Sequence, residues 1–113
     1  MLRTYHSVLS LTASVTALCD AGALIGFDDA PIAADDAPVK GIAQNPVTEV
    51  GLDVAVTTLG VETVKASGVI TKGAKLISAA GGGVKVAGAT PANVFATALT
   101  AAADGELVQI LIR

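Results

Sequence analysis

The chain has 113 residues, 52% of them hydrophobic and 15% charged, and a net charge of −3. That length suits a single domain, and the composition excludes a disordered chain. A negative balance with only Tyr5, Phe27 and Phe95 as aromatics argues against a nucleic-acid binder, which carries a basic patch interleaved with aromatics.

The hydrophobicity comes mainly from Ala, Val, Leu and Ile. Small side chains bury little area each, so an Ala-rich core of this size is marginal alone. That favours an oligomer, or a protein stabilised by docking on a large surface. Charge is unevenly spread. Asp20, Asp28, Asp29, Asp35, Asp36, Glu49 and Asp53 crowd the first half, and Lys65, Lys72, Lys75 and Lys85 the third quarter. Two readings are open: two solvated faces, or acidic and basic faces that meet between subunits or against a partner. Cys19 is the only cysteine, so there is no internal disulfide framework, and no apolar run is long enough to span a membrane.

In chain order, "MLRTYHSVLSLTASVTALCDAGA" has some features of an export signal: Arg3, an apolar stretch, and small residues near Ala17. Five Ser or Thr between Ser7 and Thr16 thin that stretch, and Leu18 stands where lipoprotein processing wants a small residue. The segment therefore reads as an extended arm leading into a strand, with an exported periplasmic or surface β-domain as the alternative. The expected division is 1–17 as arm and first strand and 18–113 as a β-rich body. From Leu9 to Ala17, Leu9, Leu11, Ala13, Val15 and Ala17 alternate with Ser and Thr, the period of a half-buried strand.

Further strands are expected in "ALIGFDDAP", closed by an Asp-Asp-Ala-Pro turn, and in "APVKGIAQNP", ended by Asn45-Pro46. More follow in "LDVAVTTLG", "VETVKASGVI", "AKLIS", "VKVAG" and "ELVQILIR". Turn residues recur often enough for a small β-sandwich or barrel. "KLISAAGGGVKVAG" reads as a hairpin whose Gly-rich tip runs from Ala79 to Gly83, because Gly adopts positive φ without steric cost.

Residues near 91–103 give two answers. Local rules favour a short helix, with Thr90 as cap, Pro91 in the first turn, Phe95 and Leu99 four apart, and Gly105 as the stop. An internal comparison favours a strand. "PVKGIAQNPVTEVGLDVAVTTL" aligns with "NVFATALTAAADGELVQILI", placing Ala43 on Ala98, Gly51-Leu52 on Gly105-Glu106 and Val54 on Val108. Gly41 and Pro46 disfavour a helix in the first copy, so Val94–Leu99 is a strand if both copies share a fold.

The residues offer little for catalysis. His6 is the only histidine and lies in the arm, so no Ser/His/Asp or Cys/His constellation forms without it. Asp28-Asp29 and Asp35-Asp36 read as turn formers, since no twelve-residue calcium loop is present. "GVITKGAK" misses a phosphate loop, with Ala74 where the Lys belongs, and Val86 breaks the dinucleotide fingerprint after Gly81 and Gly83. Lys65 in "VETVKASGVI" is similar to the carrier Lys of lipoyl domains, but Val64 replaces the Asp. No metal and no cofactor is expected.

Three stretches together, "GALIGFDDAPIAADDAPVKGIAQNP", "ASGVITKGAKLISAAGGGVKVAG" and "ANVFATALTAAADGELVQILIR", give the chain a family likeness. It resembles the capsid cement, or decoration, proteins of tailed bacteriophages. The order of elements carries the resemblance: the Gly68, Ile70, Gly73, Leu76 step, the Gly-rich hairpin, and the tail running through Ala96, Ala98, Leu99, Gly105, Glu106, Val108 and Leu111. The resemblance implies a small virion protein on the outer surface of the icosahedral head, made in the host cytoplasm. It implies trimers at three-fold and local three-fold positions that clamp the major capsid protein, with no nucleic acid or membrane as partner. The contact residues expected are Leu2, Arg3, Thr4, Tyr5, His6 and Val8 in the arm, which would add a strand to a capsid or neighbouring-subunit edge. Gly81, Gly82 and Gly83 join them at the hairpin tip.

Overall fold

The computed structural model describes residues 6–80 and 82–113. Leu2, Arg3, Thr4, Tyr5 and Gly81 lie outside the described residues. Eight strands follow in order: β1 (His6–Ser14), β2 (Leu24–Ile25), β3 (Gly41–Ala43), β4 (Asp53–Lys65), β5 (Lys75–Ser78), β6 (Val84–Val86), β7 (Ala96–Ala98) and β8 (Leu107–Ile112). They form one sheet ordered β2-β3-β4-β8-β7-β5-β6, with β1 also paired to β4, curled into half a barrel. All these pairings are antiparallel. The β-rich expectation holds, with refinements.

"LDVAVTTLG" and "VETVKASGVI" are one strand, not two, because Gly60 at φ 135° continues the ladder instead of ending it. The helix option near 91–103 is corrected to a strand. Ala96 and Ala98 are buried, and β7 takes its backbone hydrogen bonds from β5 on one side and β8 on the other. A half-buried helix would leave both neighbouring strand edges unpaired, so the ladder overrides the local helical preference. Among the described residues there is no helix. The alternation in β1 holds only in part. Ala13 and Val15 are fully buried, whereas Leu9 and Leu11 stay about 40% exposed. Register irregularities between Ser7 and Ser10 mark where the strand leaves the core face.

The internal similarity extends across the whole fold. One unit is β1 to β3 with the first half of β4. The other is the second half of β4 with β5 to β8. Their ladders coincide pair by pair. Ala13↔Val54 is matched by Val64↔Val108, Ala43↔Val56 by Ala98↔Ile110, and Ile25↔Gly41 by Leu76↔Ala96. The isolated bridge Cys19↔Val47 is matched by Ile70↔Ala102. Loop hydrogen bonds repeat too: Gly22 N–H donates to Ala43 as Gly73 does to Ala98, and Gly51 to Val15 as Gly105 to Ala66.

Two apolar clusters follow from this duplication. Ala13, Val15, Ile25, Ala43, Val47, Val54 and Val56 fill the first, with Cys19 and Ala23 packed against it. Their counterparts Val64, Ala66, Leu76, Ala98, Ala102, Val108 and Ile110 all belong to the second, with Ile70 and, at its margin, Ala74. Volume is shuffled between neighbours. Ala13 and Val15 become Val64 and Ala66, and the facing pair Cys19 and Val47 becomes Ile70 and Ala102. Cores tolerate such exchange when total volume is kept.

β1 and β8 flank the middle of β4 on opposite edges, where Ser7 and Ile112 both pair with Gly60 and His6 and Leu111 both pair with Val61. A circular permutant joining Arg113 to His6 by a short Gly/Ser linker, and opened between exposed Ala89 and Thr90, is expected to keep its strand circular dichroism and a single cooperative thermal transition. Loss of cooperativity would show that the two ends cannot be joined beside Gly60 without breaking the sheet.

Candidate functional site

The features that the fold presents are exposed apolar side chains, loop contacts and a cleft. Among the described residues, no three His, Cys, Asp or Glu side chains gather as metal ligands would. Cys19 is half-buried against the first core cluster, and burial pushes its thiol up from the ordinary value while a hydrogen bond from the Val47 backbone opposes this. Lys65 ends β4 opposite Leu107, inside a ladder and not at a hairpin tip.

The Asp pairs do more than shape turns. Asp36, at φ 52°, accepts hydrogen bonds from the backbone N–H of Ala92 and of Asn93, both 2.8 Å, and its own carbonyl takes the Asn93 amide. Asp35 accepts from the Ala80 backbone and pairs with Lys85 at 2.9 Å. Buried Ser78 donates to the Ala34 carbonyl and accepts from the Ala37 N–H. Together these fasten the 34–37 loop of the first unit across the hairpin of the second. Asp29 works within the first unit. Its carboxylate holds Lys40 at 2.7 Å and accepts from the Ser14 N–H, its carbonyl accepts from Thr16, and Lys40 donates to the Thr12 carbonyl. These contacts cover outward backbone groups of β1 and of Thr16, two residues beyond it, which another strand would otherwise pair with.

The Gly-rich hairpin is present as expected, with β5 and β6 as its arms. Where the first unit has only Asp28 between Phe27 and Asp29, the second has Ala79–Gly83 between Ser78 and Val84. Gly82, at φ 86°, has open space where a Cβ would stand. Gly83, at φ 76°, packs so closely that a Cβ would collide with the Lys65 carbonyl oxygen. The tip thus lies half against the chain's own β4. In the arm, His6 opens β1 opposite Val61, and Val8 projects at 78% exposure. His6 and Ser7 are already engaged in the chain's own sheet.

The two units differ in surface. The first, from His6 to Val56, holds seven acids against Lys40 alone; the second holds Lys65, Lys72, Lys75, Lys85 and Arg113 against Glu62, Asp104 and Glu106. At one end of the first unit the 15–20 and 48–52 loops are tied by hydrogen bonds between Val15 and Gly51 and between Val15 and Leu52. Leu18, Val50 and Leu52 are exposed there, at 61%, 66% and 45%. The equivalent end of the second unit carries Val69, Asp104 and Glu106. The second unit also has a cleft of about 300 Å³ lined by Pro91, Val94, Phe95 and Ala96, with Lys75 and Arg113 at its margins. Sequence reading missed both features, because each joins loops that are distant in the chain.

No family model matches the chain, and no curated protein matches it. Among solved structures it is similar to the crystal structure of head fiber gp8.5 N base in bacteriophage phi29. The two are 26% identical over 93% of each chain, with a TM-score of 0.72. The likeness therefore spans both units.

Two outcomes test the geometry. Gly83→Ala is expected to destabilise by about 2 kcal/mol or more, from the backbone collision added to positive-φ strain, and Gly82→Ala by only about 1 kcal/mol, in urea titrations. Lys40 and Lys85 hold the carboxyls of Asp29 and Asp35 below the ordinary range, aided by backbone N–H donors. Their stabilisation is present above that range and lost as pH falls through and below it. Thermal midpoints should fall on acidification less steeply in Asp29→Asn with Asp35→Asn than in the wild type; equal slopes would remove both pairs from the acid response.

Proposed function

We propose that this is a non-enzymatic structural protein of a tailed-phage head, a decoration protein on the outer capsid surface that stabilises contacts of the major capsid protein. The observation that carries this reading is the fold likeness, over 93% of both chains, to the base of a phage head fiber. The arrangement of surfaces supports it. The chain has small cores fastened by polar contacts, charged lobes of opposite sign and exposed apolar patches, and among the described residues no three His, Cys, Asp or Glu gather as metal ligands would. Such a molecule binds by area rather than by chemistry.

In this reading the chain acts as a homotrimer at three-fold and quasi-three-fold positions, made in the host cytoplasm and resident in the virion. The modest cores and small side chains fit a protein that gains stability from assembly. The arm, Leu2 to Tyr5, together with Val8 and the Gly81–Gly83 tip, supplies contacts to capsid or neighbour.

The test is direct. Purified chain added to heads that lack it is expected to co-sediment with them and raise the temperature at which packaged DNA escapes, read by dye accessibility. Heads that neither bind the protein nor gain stability would overturn the decoration reading. A chain lacking residues 2–5 is expected to stay folded and bind heads more weakly; undiminished binding would remove the arm from the contact.

A further inference from the structure

We propose that a second copy of this chain docks head to tail. The apolar tip of the first unit in one copy seats in the Phe95 cleft of the second unit in the next. This gives the self-association in the reading above its interface, and rests on that reading only for the closure at three copies.

The duplication supplies the reference that an isolated patch lacks. Val50 and Leu52 occupy backbone positions equivalent to Asp104 and Glu106, in loops closed by equivalent hydrogen bonds. The fold accepts acids there, so it does not require the two exposed apolar side chains. Leu18, in the other of the two tied loops, adds a third exposed apolar group, and Asp20, Glu49 and Asp53 stand within two residues of these three in the chain. Of these, Asp53 accepts from the Ser14 hydroxyl, and no described cation pairs with any of the three. An apolar centre inside a charged rim is the anatomy of a binding tip.

The cleft is its complement. Pro91, Val94 and Phe95 give it an apolar lining. Lys75 and Arg113 flank it, and no described acid pairs with either. A tip bearing Leu and Val, with acids close by in the chain, meets an apolar cleft between two cations. The lobes behind them carry opposite net charge, which orients the approach. Tip and cleft are different surfaces of one chain, so the contact is heterologous, and a ring of three copies is the closed form that the proposed function requires of it.

The experiment uses the full chain in three forms: wild type, Val50→Asp with Leu52→Glu, and Lys75→Glu with Arg113→Glu. The first variant installs the residues the second unit already carries, and all four positions are exposed, so folding is checked by circular dichroism only as a control. Sedimentation equilibrium at about 100 µM should show the wild type self-associated, and both variants at least about tenfold weaker. Raising salt from about 50 mM to about 500 mM should weaken the wild type. The decisive arm mixes the two variants: one keeps its cleft, the other its tip, and a 1:1 mixture is expected to form a dimer that grows no further. A monomeric wild type, a variant that assembles like wild type, or a mixture that stays monomeric would each overturn the interface. Head binding by the wild type is scored separately. Binding that persists with the interface overturned leaves the head reading standing, and its absence alongside a capped dimer sinks that reading alone.

Discussion

Everything in this fold hangs on one strand serving two units. β4 runs from Asp53 to Lys65 without a break. Its first half closes the ladder of β1 and β3, and its second half opens the ladder of β8. Thirteen residues is long for a strand, and a strand of that length in a twisted sheet must bend. Gly60 sits near the centre with positive φ and pairs with both neighbours there. The bend lets two short ladders share one backbone, and Leu24 and Ile42 of the first unit pack into the larger cluster of the second. Covalent continuity replaces what would otherwise be a bimolecular contact between two small sheets, each too poor in apolar area to stand alone.

The division into two clusters also explains the fastening residues. Small cores of Ala and Val contribute modestly, so polar contacts between units carry weight. Asp36, Asp35 and Ser78 bind backbone groups across the junction instead of competing with one another for water. Carboxylates that accept from backbone N–H groups hold geometry better than exposed ion pairs, whose net value is small. The positive φ of Asp36 is tolerated because the three hydrogen bonds hold it in place.

Much of this was legible in the sequence, and the failures have physical causes. Alternation located β1, β4 and β8, and the triple glycine marked its hairpin. The partial repeat from Val39 onward correctly made a strand of Ala96–Ala98 against every local helical signal. What it did not show was that the repeat reaches back to β1. Two things hid this. The first unit lacks the residues of the Ala79–Gly83 tip, which breaks the alignment between Phe27 and Asp29. Core volume also moves between facing positions, so equivalent residues seldom match in kind. Leu9 and Leu11 misled by alternating correctly where no core lies beneath them. The tip of the first unit and the cleft of the second were invisible because no pattern along the chain encodes which loops meet.

The cover over the outer rim of β1 has a consequence for how this chain meets any other. Asp29 and Lys40 occupy the carbonyl of Thr12 and the N–H groups of Ser14 and Thr16. Main-chain pairing is indiscriminate, since any extended peptide offers the same donors and acceptors. With that route closed along half the strand, encounters between molecules are judged by side chains, where shape and charge tell one neighbour from another. A lobe of small residues and alternating strands is the kind of material that forms fibres when its rims are bare. Here two charged groups close that rim to main-chain pairing.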